Sequence, residues 1–379
     1  MSSIDSIESW KETVRLSRPY RIANHDFDSV ELLFVRLGSD DGRLGLGSAS
    51  PAHFVTGETV KDCEAALSSE RLEDFLGRDP THQPALGRLA ARLLRHTPAA
   101  RAAVDMALLD LWGRCLDRPL VDLLGRVHDG LPTSITIGIK TGIKTGIEAG
   151  IEAGSTTGDQ GVQETLDEAE EYLARGFRCL KVKLGDSLEE DLERLARLTE
   201  RLDQKATGVT VRVDANQGYE RSELALLLRA AGALRLELIE QPVPVENEKD
   251  LESVPPDLRR LLAADESLLG TDDALRLSSS TAPYGVFNVK LMKCGGVSAA
   301  LAISRIAEGA GRKLMWGCMD ESVISIAAAL HGAYACRPTR YLDLDGSFDL
   351  ARDPASGGFV LRDGCLYLTD EPGLGVDLT

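Results

Sequence analysis

Residues 209–242 have the sequence VTVRVDANQGYERSELALLLRAAGALRLELIEQP, and they contain a unit that much of the chain repeats. A short apolar run ends at Asp214, a helical pattern follows, and a second apolar run ends at Glu240. A strand, a helix and a further strand in this order are typical of a parallel βαβ unit. The stretch therefore predicts a parallel sheet in which neighbouring strands each end in a carboxylate.

The order of strand and then helix continues from about residue 131. The predicted strand cores are SITIGI, CLKVKL, VTVRVDA, LELIEQP, LLAADES, FNVKLMK, KLMWGC and RYLDLD. Eight strands with intervening helices fit a closed α/β barrel of about 250 residues better than an open sheet. Upstream, residues 13–50 alternate as antiparallel strands do, and residues 58–125 have helical patterns, which together predict an α+β domain. The tail after residue 350 has strand and turn patterns.

The composition is that of a globular protein, with 43% hydrophobic and 27% charged residues. A formal net charge of −17 argues against binding to nucleic acid or to anionic membrane surfaces. No run of about 18 apolar residues occurs, which argues against a membrane span. The N-terminus lacks the pattern of a signal peptide, and the seven cysteines include no CxxC pair. A cytoplasmic location with reduced thiols is therefore expected.

One segment interrupts the strand and helix order. Residues 138–158 have the sequence GIKTGIKTGIEAGIEAGSTTG, with a period of four. Glycine at every fourth position costs about 1 kcal/mol each in a helix, so a helix is not expected. The segment is either a duplication tolerated in a surface loop or a lid, because it follows the first barrel strand.

Charged residues at the predicted strand ends would meet at one mouth of a closed barrel. They are Lys181, Lys183, Asp214, Glu240, Asp265, Lys290, Asp343 and Asp345. Asp214, Glu240 and Asp265 follow three adjacent strands, and such a set of oxygen ligands suits Mg²⁺. Lys183 and Lys290 end strands two and six, which lie opposite each other in an eight-strand ring.

This arrangement suits inversion at a carbon next to a carboxylate. Mg²⁺ would hold the carboxylate and stabilise the enediolate that forms when the adjacent carbon loses its proton. One lysine would remove that proton from one face, and the other lysine would return a proton on the opposite face. Lys181 points to the same side as Lys183, and repulsion between the two ammonium groups is expected to favour a neutral, basic Lys183.

The motifs KVK, VDANQGY, LIEQPV, ADES and NVKLMKCGG, with their spacing, resemble the enolase superfamily, in its muconate-lactonizing subgroup. The resemblance covers nearly the whole chain. It implies a (β/α)7β barrel at 131–348, with an α+β capping domain at 1–130 to which a segment at 349–379 returns. It also implies one Mg²⁺ per subunit on Asp214, Glu240 and Asp265, with Lys183 and Lys290 as the acid/base pair. Lys181 is expected to face the substrate carboxylate.

Within this subgroup the chain is most similar to dipeptide epimerases. Asp343 and Asp345 lie one residue apart and match a DxD motif that binds the α-ammonium group of the dipeptide in those enzymes. Thr136 matches a substrate-contacting threonine after the first strand. The segment of Cys318, Met319 and Asp320 matches one that lines the substrate site. The alternatives are an N-acylamino acid racemase, an o-succinylbenzoate synthase and a muconate cycloisomerase; a non-enzymatic binding barrel is disfavoured because it would not need opposed lysines.

One departure concerns the dipeptide side chains. In Ala-Glu epimerases an arginine of the capping loop binds the glutamate side chain, and the aligned position here is His25. An Ala-Glu specificity is therefore not expected, and Asp26 and Asp28 would instead favour a cationic side chain, unless the loop tolerates apolar ones. His25 is a further candidate for substrate binding, with a surface-loop histidine as the alternative. A dipeptide substrate, no nucleic acid or membrane partner, and a homo-oligomer are expected.

Overall fold

The computed structural model describes residues 2–22, 25–139, 159–185, 187–205 and 208–379. It describes their side chains except at 19–22, 25–27 and 159–160. Most of the four-residue repeat and the side chain of His25 therefore lie outside the described part of the chain.

An antiparallel sheet with strand order β1-β2-β3 and a set of helices form the N-terminal capping domain. Its elements are β1 (Ile4–Ile22), β2 (His25–Ser39), β3 (Leu44–Ala49), α1 (His53–Thr56), α2 (Val60–Ala66), α3 (Ser69–Leu72), α4 (Gln83–Leu93), α5 (Pro98–Cys115) and α6 (Leu120–Leu124). Helix α5 packs on β3. A Cβ at Gly45 would lie 2.2 Å from Ala107 O, and a Cβ at Gly47 would lie 1.9 Å from Ala103 O. Only glycine permits this close approach. Strand β1 begins well before the predicted residue 13.

The second part of the chain forms an eight-stranded parallel sheet whose strands follow one another in chain order. After β4 (Leu131–Pro132), the strands are β5 (Ile135–Ile137), β6 (Cys179–Lys183), β7 (Thr210–Asp214), β8 (Leu236–Glu240), β9 (Leu262–Ala264), β10 (Val286–Lys290), β11 (Lys313–Gly317) and β12 (Thr339–Asp343). A parallel bridge between Thr133 and Leu342 joins the two ends of the sheet. Ser134 N also donates to Leu342 O at 3.0 Å, so the sheet closes into a barrel.

Helices separate the barrel strands. They are α7 (Asp159–Ala174), α8 (Leu188–Lys205), α9 (Arg221–Ala231), α10 (Pro256–Arg259), α11 (Thr271–Arg276), α12 (Leu291–Cys294), α13 (Val297–Gly309) and α14 (Val323–Tyr334). Helix α8 buries Leu188, Leu195, Leu198 and Leu202, a spacing that places them on one face. The predicted (β/α)7β barrel is therefore confirmed. The predicted core FNVKLMK is only partly a strand, because β10 ends at Lys290 and α12 follows directly.

The C-terminal segment connects the two parts of the chain. Its strands are β13 (Ala355–Gly357), β14 (Phe359–Arg362), β15 (Cys365–Leu368) and β16 (Val376–Leu378). Strand β15 pairs with β4. Leu374 N donates to the buried Asp110 of α5 at 2.7 Å, and Leu120 N donates to Gly373 O at 2.8 Å. The segment thus contacts the capping domain, while the domain boundaries at 130/131 and 348/349 stay predictions. Among the described residues, no helix is both long and apolar enough to cross a membrane.

A buried histidine joins these parts. His331 of α14 accepts from Val121 N at its Nδ1 (3.0 Å), and its Nε2 lies 3.4 Å from Leu374 O. A ring that accepts at Nδ1 carries its proton on Nε2, so the neutral form satisfies both contacts. Burial lowers the pKa of His331 to about 3. The folded protein therefore holds this histidine neutral at pH values where the unfolded chain would protonate it.

This histidine should make the protein less stable in mild acid. Its pKa is about 3 when folded and about 6.5 when unfolded, so its contribution is complete above pH 6.5 and is lost as pH falls towards 3. The free energy of unfolding should fall by about 1.4 kcal/mol at pH 5.5 through this group alone. Urea unfolding at pH 7.5 and 5.5 would measure it. The free energy of unfolding of His331→Gln should fall less over this pH interval than that of the wild type. Substitution of the exposed His96 is the control, and it should leave the fall as large as in the wild type.

Candidate active site

Three buried carboxylates lie at the ends of adjacent strands β7, β8 and β9, as predicted. They are Asp214, Glu240 and Asp265, whose exposed fractions are 0%, 1% and 3%. Asp214 and Glu240 are direct partners in the strand register. Both approach one cation, because Lys181 Nζ lies 2.8 Å from Glu240 Oε2 and 3.1 Å from Asp214 Oδ2.

Lys181 and Lys183 both point into the barrel mouth from β6. Lys181 Nζ also donates to Asp343 Oδ2 at 2.7 Å, and Lys183 Nζ donates to Asp214 Oδ2 at 2.7 Å. Burial alone would lower the pKa of Lys181, but Asp343, Glu240 and Asp214 raise it well above its ordinary value. Asp214 Oδ2 contacts both ammonium groups and therefore lies between their charges, while the role of Lys183 as a base stays a prediction.

Lys290 enters the site from β10, four strands from β6 and hence across the barrel mouth. Its Nζ lies 2.7 Å from Asp265 Oδ2. Lys293 of α12 contacts Asp265 Oδ1 and donates to Asp265 O at 2.6 Å and to Asn288 O at 3.1 Å. Although burial opposes it, Asp265 and Glu240 raise the pKa of Lys290 above its ordinary value. The two predicted acid/base lysines thus stand on opposite sides of the carboxylates.

The carboxylates of the site are not fully compensated by these lysines. Burial and then the neighbouring Asp214 raise the pKa of Glu240 to about 8. Burial and then Asp265 raise the pKa of Glu266 to about 7. Asp265 differs, because Lys290 and Lys293 hold its pKa well below the usual range despite burial. Further positive charge would therefore stabilise this cluster.

The residues present fit a divalent cation. Glu266 Oε2 and Asn288 Oδ1 are buried and have no hydrogen-bond partner among the described residues. These oxygen atoms, together with the three carboxylates at the strand ends, are the kind of ligand that a hard cation such as Mg²⁺ prefers. The described residues nevertheless contain no group of three His, Cys, Asp or Glu side chains already arranged around one point. The ammonium groups of Lys181, Lys290 and Lys293 lie among the carboxylates.

Several residues that order this site were not predicted. Gln241 Oε1 accepts from Asp265 N and Ser267 N at 3.0 and 3.1 Å, which fixes the loop after β9. Asn288 Nδ2 donates to Glu240 Oε1 at 2.6 Å. A Cβ at Gly317 would lie 2.6 Å from Asn288 Oδ1, so the glycine makes room for this contact. The period-two pattern of β10 places Asn288 on the face of Lys290, and that signal could have identified it.

A cavity of about 620 Å³ lies between the capping domain and the barrel mouth. Among the residues that line it are all the predicted substrate-side residues of the barrel, namely Thr136, Lys181, Cys318, Met319, Asp320, Asp343 and Asp345. Lys183, Asp265 and Lys290 also line it, whereas Asp214 and Glu240 lie beneath its surface. Ser50 Oγ of the capping domain donates to Asp320 O at 2.8 Å and closes one side.

The two aspartates of the DxD motif have different surroundings. Asp343 ends β12 and is held by Lys181 and by Ser134 Oγ at 2.5 Å. Asp345 lies beyond the strand, with φ −101° and ψ −8°, and accepts from Thr136 N at 2.8 Å. The expectation that both lie on one strand is therefore wrong. Burial and then Asp343 raise the pKa of Asp345 to about 6, which marks it as the carboxylate with the greater need for a cation.

Cys318 holds the turn that contains Asp345. Its thiol donates to Asp343 O at 3.3 Å, and its sulfur accepts from Gly346 N at 3.3 Å. Burial and then Asp345 raise the pKa of Cys318 well above its ordinary value. Cys318 is therefore a neutral thiol at the cavity wall. The side chain of His25, the remaining predicted candidate, lies outside the described residues.

Comparisons with known proteins identify relatives over nearly the whole chain. Residues 6–125 match the N-terminal domain of mandelate racemase and muconate lactonizing enzymes, and residues 164–379 match the enolase C-terminal domain-like family. An L-Lys-D/L-Arg epimerase from Methylococcus capsulatus is 53% identical over 98% of each chain. A second such epimerase, from Desulforapulum autotrophicum, is 48% identical over 98% of this chain and 99% of the relative. A crystal structure of a Methylococcus capsulatus dipeptide epimerase with Mg and L-Arg-D-Lys superposes with a TM-score of 0.91 over 99% of both chains, at 53% identity.

Proposed function

We propose that this chain, which belongs to the mandelate racemase and muconate lactonizing enzyme family of the enolase superfamily, is a Mg²⁺-dependent dipeptide epimerase. It inverts the α-carbon next to the C-terminal carboxylate of the dipeptide. The observation that carries the proposal is the pair of opposed lysines, Lys183 and Lys290, with three buried carboxylates between them.

The two lysines divide the proton transfer. The one that is neutral takes the proton from the α-carbon, which leaves an enediolate. The other, as an ammonium group on the opposite face, donates a proton to the same carbon. The product has the inverted configuration, and the two lysines have exchanged protonation states. Because the roles reverse for the other isomer, each lysine removes a proton from one stereoisomer only.

Asp214, Glu240 and Asp265 would hold the Mg²⁺ ion. When bound, Mg²⁺ supplies positive charge that stabilises the negative charge developing on the substrate carboxylate. Lys181 contributes charge on the same side, since its ammonium lies among the carboxylates of Asp343, Glu240 and Asp214. The buried position of these groups strengthens each charge interaction relative to water.

We further propose that the preferred dipeptides carry cationic side chains. Beyond the strand ends, the described residues that line the cavity include the carboxylates Glu31, Glu168, Asp320 and Asp349 and the cation Arg18. Arg18 is itself held by Glu171 at 2.6 Å. Burial and then Asp345 raise the pKa of Asp349 to about 8. This acidic wall favours Lys or Arg side chains over the glutamate of Ala-Glu, and both epimerases named above act on Lys-Arg dipeptides.

A dipeptide library in D₂O with Mg²⁺ tests this function. In each substrate one deuterium replaces the α-hydrogen, and mass spectrometry detects this replacement for every member at once. Lys- and Arg-containing dipeptides should exchange fastest, and Ala-Glu should exchange slowly. Exchange of N-acylated amino acids in preference to free dipeptides would identify an N-acylamino acid racemase instead. The cytoplasmic location and the homo-oligomeric state expected from the sequence stay predictions.

Substitution of Asp345 should weaken substrate recognition selectively. A charge-assisted hydrogen bond to the dipeptide α-ammonium is worth about 1.5–3 kcal/mol, so Asp345→Asn should lower kcat/KM by about 10- to 100-fold. N-acetylating the dipeptide should impair the wild type by a similar factor and the variant much less. Asp343→Asn serves as the comparison, and it should also perturb catalysis because Asp343 holds Lys181. Equal sensitivity of Asp345→Asn and wild type to N-acetylation would rule out this role.

A further inference from the structure

The segment that carries Lys290 is packed against the capping domain. Lys290 is the residue immediately before α12, a single turn that ends at Cys294. Gly295 and Gly296 follow, and α13 then begins at Val297. This glycine pair and both helix ends lie against helix α5. The contacts cross from the capping domain to the turn next to a proposed acid/base lysine.

Two charged residues of α5 make these contacts. Arg101 Nε donates to Gly295 O at 3.1 Å, and its Nη2 donates to Cys294 O. Four residues further along the same helix face, Asp105 Oδ2 accepts from Ser298 N at 3.0 Å. Arg101 thereby satisfies carbonyl groups at the end of α12, and Asp105 satisfies an N–H group at the start of α13.

The glycine pair is shaped by the same contacts. Gly295 and Gly296 have φ values of 88° and 106°, which L-residues rarely adopt. A Cβ at Gly295 would lie 1.9 Å from Arg101 Nε, and a Cβ at Gly296 would lie 2.6 Å from Asp105 Oδ2. The two glycines thus leave the space that the two α5 side chains occupy.

The turn lies close to two charged residues of the site. Helix α12 contains four residues and begins directly after Lys290, so the contacts at its C-terminal end lie one helical turn from Lys290. Lys293, inside α12, bonds to Asp265 O and Asn288 O. Misplacement of a catalytic group by about 1 Å can cost on the order of 100-fold in rate.

We propose that Arg101 and Asp105 are positioning residues for Lys290, holding it from the capping domain at the distance that proton transfer requires. This inference rests on the proposed two-lysine function. It predicts a larger effect on the stereoisomer whose proton Lys290 removes, because Lys183 makes no hydrogen bond or ion pair with α5 among the described residues, whereas an effect passed through Lys293 to Asp265 would slow both isomers alike.

Deuterium exchange of L-Lys-L-Arg and L-Lys-D-Arg tests this role, measured separately in D₂O at saturating Mg²⁺. Lys290→Ala identifies the isomer whose exchange depends on Lys290. Arg101→Met, which keeps a shorter unbranched side chain and removes both donors, should slow exchange of that isomer by about 10-fold or more, in line with a sub-ångström to 1 Å shift. Exchange of the other isomer should slow much less, and Arg101→Lys should recover part of the loss. If Arg101→Met does not fold, Asp105→Ala, which removes the acceptor of Ser298 N, should give the same isomer preference.

Asp110→Asn is the matched control. Asp110 lies on the same helix and is buried, but it binds Leu374 N and Leu46 N, away from Lys290. It should lower the melting temperature without changing the ratio of the two exchange rates. Equal slowing of both isomers in Arg101→Met and Asp105→Ala, or no slowing, overturns the positioning role. If Lys290→Ala itself shows no isomer preference, the two-lysine function fails, and the positioning role falls with it.

Discussion

Lys290→Ala should abolish epimerisation and leave deuterium exchange on one isomer of the dipeptide. The variant lacks the group that abstracts or returns the proton on one face, and positioned acid/base groups contribute about 10²- to 10⁴-fold each. The isomer whose proton faces Lys183 should still exchange, because Lys183 can take the proton and return deuterium on the same face. Exchange of the other isomer should fall with epimerisation. Chiral chromatography measures the inversion, and mass spectrometry measures the exchange.

Lys183→Ala is the reciprocal variant and provides the control. It should also stop epimerisation, but it should spare exchange of the isomer that Lys290→Ala loses. Lys290 is almost fully buried and Lys183 is 17% exposed at its side chain, so both substitutions remove groups at the cavity wall rather than in the apolar core. Melting temperatures of both variants would show whether folding is affected. Normal epimerisation in either variant is incompatible with the two-lysine mechanism.

The positions of the strand-end residues could be predicted because they follow from local rules. Period-two alternation places Lys181 and Lys183 on one side of β6, and the βαβ order brings Asp214 and Glu240 to the same edge of the sheet. Parallel strands in chain order then place Lys290 across the barrel mouth from Lys183. None of these steps requires knowledge of the tertiary contacts between side chains. The fold and the charged residues of the site could therefore be inferred from patterns in the chain.

The partners of these residues could not be predicted in the same way. The contact of Lys181 with Asp343 spans 162 positions in the chain, and it exists because the barrel closes β5 onto β12. Asp345 leaves the strand after Asp343, so alternation no longer describes its direction. Lys293 points to Asp265 because β10 changes into α12 at Leu291, which the apolar run FNVKLMK conceals. Such details depend on tertiary contacts that no local pattern contains.

The same limit explains why the capping-domain contacts were not anticipated. Arg101 and Asp105 belong to an Ala- and Leu-rich helix, in which charged residues usually mark a solvated face. Here α5 is buried on nearly all sides, and Asp105 is only 4% exposed. The glycine pair at 295–296 suggests a tight turn from sequence, but the side chains that require it come from another domain. Only the folded structure brings the two together.

Substitution of the three carboxylates proposed to bind Mg²⁺ should also reduce catalysis strongly. Asp214→Asn, Glu240→Gln and Asp265→Asn each replace a buried carboxylate of the proposed Mg²⁺ site with a neutral amide, which is a weaker ligand for a hard cation. A bound cation supplies several kcal/mol of transition-state stabilisation, so each variant should lose about 10³-fold or more in kcat. Isothermal calorimetry should show weakened Mg²⁺ binding in each variant, while Asp110→Asn, which removes a buried charge elsewhere, should bind Mg²⁺ as the wild type does. Exhaustive chelation should abolish activity, and added Mg²⁺ should restore it. Full activity after chelation would exclude a role for Mg²⁺ and leave the three carboxylates without a catalytic function.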